Sequence, residues 1–165
     1  MTFLSLLTES DPRLRKPSHQ ILRVDDRVRA LARDMLATMY RMGACGLAAP
    51  QVNARVRLIV MDTSRERNRP WIYLNPELVA VGQRQARFEE GCLSLPGIFV
   101  DVYRARRVTL RSTGLDGQLF EQEMVGWDSA VIQHEIDHLD GRLMTDIWVD
   151  QQAGQDRHSR KRRHG

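Results

Sequence analysis

Cysteine is scarce, two in 165 residues. So few cannot form a disulfide framework, and they read as thiols of a reducing compartment. No apolar run approaches the ~20 residues that a transmembrane helix needs, so no membrane partner is expected. The opening MTFLSLLTESDPRLR has no basic stretch ahead of a long apolar one, and it carries Glu9 and Asp11. Neither a secretory signal nor a transit peptide is expected, and the expected location is the cytoplasm. Lysine is nearly absent, two against 23 arginines, a bias that carries no functional reading. There is no internal repeat and no phosphate-loop G-K-[ST]. What is present is ordinary: 42% hydrophobic and 28% charged residues, with a mean hydropathy of −0.44. That is the composition and length of one globular domain able to bury a core.

The net charge of +4 divides unevenly, because Arg157 to Gly165 hold five positive charges and no acid, leaving −1 for residues 1–156. The expected organisation is one domain over 1–156 and a basic tail over 157–165. Such a tail reads as a solvated, disordered end. Its functional reading is attraction to a polyanion, without sequence-specific nucleic-acid binding.

Asp25 to Met42 predicts an amphipathic helix, with Val28, Leu31, Ala32, Met35, Leu36 and Met39 on one face. Asp25 or Asp26 can cap it and Gly43 can stop it. Strand-like runs follow at 56–61, 71–74, 99–103 and 107–111. Asn75-Pro76 reads as a turn, and Asp116-Gly117 as a hairpin turn with Gln118 to Met124 returning. A second helix is predicted from Asp128 to Asp140, with Asp128 or Ser129 as N-cap and Gly141 beyond its end. The fold class is therefore α+β: small antiparallel sheets around a central late helix, preceded by an amphipathic helix.

The chemistry lies in three short segments. The late helix carries His134-Glu135-Ile136-Asp137-His138. Histidines at i and i+4 share one helix face, so both imidazoles can reach one metal ion, with Glu135 beside a water that the ion activates. A third ligand is open at this point. A third histidine is lacking, since the corresponding position is Met144, and no glutamate follows Glu135. The aspartates Asp140, Asp146, Asp150 and Asp156 remain candidates. The better one is Cys92, in Glu90-Gly91-Cys92-Leu93-Ser94. A thiolate with two histidines leaves one position free, and Gly91 lets the backbone come close to an ion or substrate. The third segment, Gly43 to Gln51, reads as a small apolar loop whose one uncharged hydrogen-bonding side chain is Gln51.

In this order the segments resemble the peptide deformylase family. The family shows G-x-G-L-A-A-x-Q, E-G-C-L-S and Q-H-E-x-D-H-L; this chain has A-C-G-L-A-A-P-Q at 44–51, E-G-C-L-S at 90–94 and Q-H-E-I-D-H-L at 133–139. D-P-R-L-R-K at 11–16 is also similar to the family's N-terminal segment, so the resemblance spans roughly 11–147. It implies removal of the formyl group from the initiator methionine of nascent chains. It implies one divalent ion on Cys92, His134 and His138, natively iron(II), with zinc, nickel or cobalt able to substitute. Glu135 would be the general acid/base, and the Gln51 amide and the Leu93 backbone N–H would hold the oxyanion. The peptide would lie along Ala44, Cys45 and Gly46, facing Gly91. Its methionine would enter a pocket lined by Cys45, Phe88, Glu90, Ala130, Val131 and His134. Leu95-Pro96-Gly97 and Gly126-Trp127 resemble the organelle-like branch of the family. The basic tail would meet the ribosome surface. One departure stands out: Ala44 replaces the first glycine of the first motif, which bears on the edge where substrate would lie.

Two rival readings remain. A small metalloprotease could use the same helix, but it lacks a matching third ligand and a longer chain after the helix. A catalytically silent ribosome- or RNA-binding relative would tend to lose Glu135 or Cys92, and both are present.

Overall fold

The structure, a computed structural model, describes the backbone of residues 2–162 and the side chains of residues 2–154. After a 3-10 turn at Pro12–Arg15 comes α1 (Asp26–Arg41). The Asp25 carboxylate accepts from Val28 N at 3.0 Å and caps α1. Ala32, Met35 and Met39 are buried against Leu47, Leu58, Val60 and Leu74. Gly43, at φ +67, ends the helix. Its N–H bonds to Tyr40 O and that of Ala44 to Met39 O, both at 3.0 Å, the paired bonds of a Schellman cap. This cap delivers the chain directly to β1 (Gly46–Ala48).

A 3-10 turn at Ala49–Val52 leads to β2 (Leu58–Met61), β3 (Trp71–Val81), β4 (Gln85–Cys92), β5 (Leu95–Ala105), β6 (Arg107–Thr113) and β7 (Leu119–Val125). Five strands form one antiparallel sheet in the order β1-β2-β3-β6-β7, and β4 and β5 form a separate hairpin. Two helices follow, α2 (Trp127–Leu139) and α3 (Met144–Arg162). On α2, Val131, Ile132, Ile136 and Leu139 pack against Ile59, Tyr73, Leu110 and Met124 of the sheet. His134, Glu135 and His138 are also buried, so α2 is covered all round, as expected of a central helix. Among the described residues no helix is long and apolar enough to cross a membrane.

The sequence expectations need four corrections. Asn75-Pro76 is no turn: β3 runs through it with a bulge, the register slipping between Leu74↔Thr113 and Glu77↔Arg111. Asn75 takes φ +49 and exchanges two 2.8 Å bonds with the backbone of Ile21. A bulge tolerates the missing N–H of Pro76. The segment read as a loop contains β1 and a 3-10 turn. Helix α2 begins at Trp127 after Gly126, at φ +63, and Ser129 is not its cap but donates to Ala105 O at 2.7 Å. Finally, β4 and α3 have no counterpart in the sequence reading. Helix α3 carries the backbone to Arg162, into the segment set apart as a tail. Residues 163–165 and the side chains beyond 154 lie outside the described residues.

Candidate metal centre and its cavity

Helix α2 places His134 and His138 one turn apart, with ring centroids 4.9 Å apart and planes at 74°. Their Nε2 atoms are 3.2 Å apart, and the Cys92 Sγ lies 3.3 Å from Nε2 of His138. Cys92 reaches them from the end of β4, where the β4–β5 register slips between Gly91 and Cys92. All three donor atoms lie within 4.8 Å of one another, the one such group among the described residues. A thiolate with two imidazoles suits a divalent transition metal and leaves a coordination position open. The late aspartates are engaged elsewhere: Asp140 by Arg57, Asp146 by Arg15 and Leu143 N, Asp150 by Arg142. The Asp156 side chain lies outside the described residues.

A buried charge network orients the first histidine. Glu90 Oε2 bonds His134 Nδ1 at 2.8 Å, which turns Nε2 toward Cys92 and His138. The Arg104 guanidinium, 5% exposed, grips Glu90 at 2.7 and 2.9 Å and Asp137 at 2.5 Å. Burial works against the Glu90 charge, but Arg104 and His134 outweigh it and hold its carboxyl at about 2. The two imidazoles are pushed in opposite directions. Burial, with the charges of His134 and Arg104, holds His138 well below the ordinary value. Burial disfavours the charge on His134 too, but bonds to Cys92 and Glu90 raise it.

Gln51 sits in the 3-10 turn after β1. Its Oε1 accepts from Ala48 N at 2.9 Å, and its Nε2 donates to Ser94 Oγ at 3.2 Å, 3.5 Å from Cys92 Sγ. The amide is thereby fixed with its N–H groups toward the centre. Glu135 is 4% exposed, and its Oε2 has no hydrogen-bond partner among the described residues. Burial pushes its carboxyl up to about 7. A Cβ on Gly46 would lie 2.5 Å from Glu135 Oε1, so only glycine lets β1 approach this carboxylate. Gly46→Ala should therefore displace Glu135 and lower kcat/KM tenfold to a hundredfold, on the order of the cost of an ångström of misplacement. Steady-state kinetics on metal-loaded protein checks this.

One cavity of about 590 Å³ joins these groups. Of the residues that the family resemblance assigns to the site, all line it except His138, which is buried, and Phe88. The Phe88 ring lies 6.1 Å from that of Trp127, which does line the cavity. In this segment the positive φ falls on Gly43, and Ala44 is not among the positive-φ residues. Sequence reasoning missed the apolar lining from Met42, Ile98, Phe99 and Trp127, and also Arg104 and Asp137. A lone buried arginine on a strand leaves no local signal.

The sequence profile of the polypeptide deformylase family matches residues 3–153. The chain is a member of this enzyme family. A curated peptide deformylase of Azotobacter vinelandii is 44% identical over 146 residues, 88% of this chain and 87% of that protein. The crystal structure of peptide deformylase from Thermotoga maritima superposes with a TM-score of 0.86 at 35% identity, covering 89% of this chain and 98% of that one. A Met-Ala-Ser-bound class I type b peptide deformylase from Acinetobacter baumannii gives a TM-score of 0.84 at 27% identity, covering 88% and 98%. The α+β architecture expected from the sequence is that of this family.

Proposed function

We propose that the chain hydrolyses the formamide of N-formyl-methionyl peptides, giving formate and a free methionyl amine, on nascent chains in the cytoplasm. The observation that carries this is the buried Glu135 carboxylate, held between the three convergent donors and the β1 edge in one cavity. The Met-Ala-Ser complex of the Acinetobacter baumannii relative supports a peptide substrate. Cys92, His134 and His138 would hold one divalent ion, natively iron(II), with zinc, nickel or cobalt able to replace it. Bound there, such an ion would supply Lewis acidity.

The residues of the chain do the rest. The β1 edge takes the peptide as an added strand, and the cavity beside Ala130 and Val131 receives the methionine side chain. Glu135 accepts a proton from the attacking water and returns it to the leaving nitrogen. The Gln51 Nε2 and the Leu93 backbone N–H donate to the oxygen as its negative charge develops, which lowers the barrier electrostatically.

Formate release from a formyl-Met peptide, assayed beside endopeptide cleavage and a metal analysis of anaerobically purified protein, tests the proposal. Formate with no endopeptide cleavage and one bound metal is expected. Internal cleavage would favour a protease, and neither activity a silent relative. The tail's proposed role is salt-dependent attraction to the ribosome. Deleting 157–165 should leave short-peptide turnover unchanged and weaken ribosome sedimentation at low salt, with the difference vanishing at high salt. Equal binding at low salt would make the tail a passive terminus.

A further inference from the structure

The β2–β3 connection, residues 62–70, is built around a buried carboxylate. Asp62 is fully buried. Its Oδ1 accepts from Ser64 N at 2.9 Å and Ser64 Oγ at 2.6 Å. Its Oδ2 accepts from Tyr40 OH at 2.6 Å and Arg69 N at 3.1 Å. Four bonds satisfy the carboxylate and tie the connection to the end of α1. The Asp62 N–H in turn donates to Cys45 O at 2.8 Å, so the connection also holds the segment just before β1.

Arg67 stands at its tip with φ +54. A left-handed backbone is unfavourable for a residue with a Cβ, and it persists where the surroundings impose it, characteristically beside functional sites. Here it aims the guanidinium at the same segment. Nη2 donates to the carbonyl of Ala44 and Nη1 lies 3.4 Å from Cys45 Sγ. The Arg67 Cζ sits 5.6 Å from the centroid of the Tyr40 ring. The ion pairs found among the described residues do not include Arg67.

The clamped segment leads into the edge where substrate would lie. Among the described residues β1 is the outermost strand of its sheet and pairs only with β2. The bond from Asp62 N turns the Cys45 carbonyl toward β2, and antiparallel alternation then turns the N–H and C=O of Gly46, opposite Met61, away from β2. Those groups are the first that an added strand meets, and Gly46 abuts Glu135. Fixing Ala44 and Cys45 therefore fixes the height of the docking edge relative to the acid/base group.

We propose that Arg67 is a positioning residue for substrate: by clamping Ala44 and Cys45 it sets the peptide-docking edge at Gly46 against Glu135. This rests on the deformylase reading of the cavity. The test uses full-length, nickel-loaded protein and the variants Arg67→Ala, Arg67→Gly and Arg67→Lys. Glycine removes the clamp and relieves the left-handed backbone together, which separates positioning from folding.

The expected result for Arg67→Ala and Arg67→Gly is one bound metal, kcat within about threefold of wild type, and KM for formyl-Met-Ala-Ser raised about tenfold or more. The Kd of the product Met-Ala-Ser, by calorimetry, should weaken by a similar factor. Lysine, which can still donate to the Ala44 carbonyl, should recover most of both. A folded, metal-loaded Arg67→Gly with KM and Kd within twofold of wild type overturns the proposal, as does a lowered melting temperature with unchanged KM. If Arg67→Ala does not fold, Gly and Lys decide. Wild-type protein that binds Met-Ala-Ser but releases no formate would refute the deformylase reading and leave the clamp testable through Kd alone.

Discussion

Glu135→Gln should keep the metal and lose turnover, with kcat down ~10²–10⁴-fold, the usual worth of a general acid/base. Glu135 lies between His134 and His138 in sequence, yet its carboxylate is outside the donor group of Cys92, His134 and His138. The amide has the shape of the acid, so the close contact with Gly46 and the packing of α2 persist. What disappears is a site that can accept a proton and give it back. Stability should be unchanged or slightly higher, because a buried carboxylate whose Oε2 lacks a partner gives way to a neutral group that costs less to bury. Metal content by mass spectrometry or absorption, thermal melting and formate release are to be measured on one preparation. One equivalent of metal with an unshifted melt and activity within a few-fold of wild type would remove Glu135 from the mechanism. Loss of metal would make it a structural part of the centre.

The elements that could be read from sequence are those whose signal is local. Asp25 and the stripe from Val28 to Met39 define α1, because capping and a 3.6-residue period act within one turn. The histidine pair is legible for the same reason: i and i+4 fix its geometry. Long-range partners decide the rest. Asn75-Pro76 is a turn signal until the Asn75 side chain meets Ile21, 54 residues away. Strand β4, Gln-Ala-Arg-Phe-Glu-Glu-Gly-Cys, has no β-branched residue and exists through its pairing with β5. Cys92 competed with four aspartates until the arginines that occupy three of them were located. Phe88 and Trp127 come from distant parts of the chain and have neighbouring rings, and that Trp127 lines the cavity and Phe88 does not is a matter of packing. Arg104 carried no signal because its partners come from β4 and α2.

Arg104 is also where the second large effect should fall. Arg104→Leu should lower stability by about 3–5 kcal/mol, the cost of breaking a buried ion pair from one side. In a domain of this size that is a drop in melting temperature of roughly 6–20 °C. Among the described residues the guanidinium is the one cation that bridges Glu90 and Asp137, and both carboxylates would be left to share a poorly solvated space. The effect would extend to the metal. Glu90 holds His134 through Nδ1, and partners behind a ligand are typically worth 10–100-fold in metal affinity. Arg104→Lys should fall between, since an ammonium keeps the charge but cannot span Glu90 in two parallel bonds and reach Asp137 together. Charge and orientation separate in the triple variant Arg104→Leu, Glu90→Gln, Asp137→Asn. Without buried charges it should regain most of the stability, while the metal affinity stays low because the amide at position 90 no longer supplies a carboxylate acceptor to His134. Urea unfolding under chelation reads the first quantity, and competition with a chromogenic chelator the second. Arg104→Leu with wild-type values of both would mean that the network is passive packing. A triple variant with full metal affinity would mean that orienting His134 does not require a carboxylate at position 90, the amide oxygen or the packing of α2 being enough.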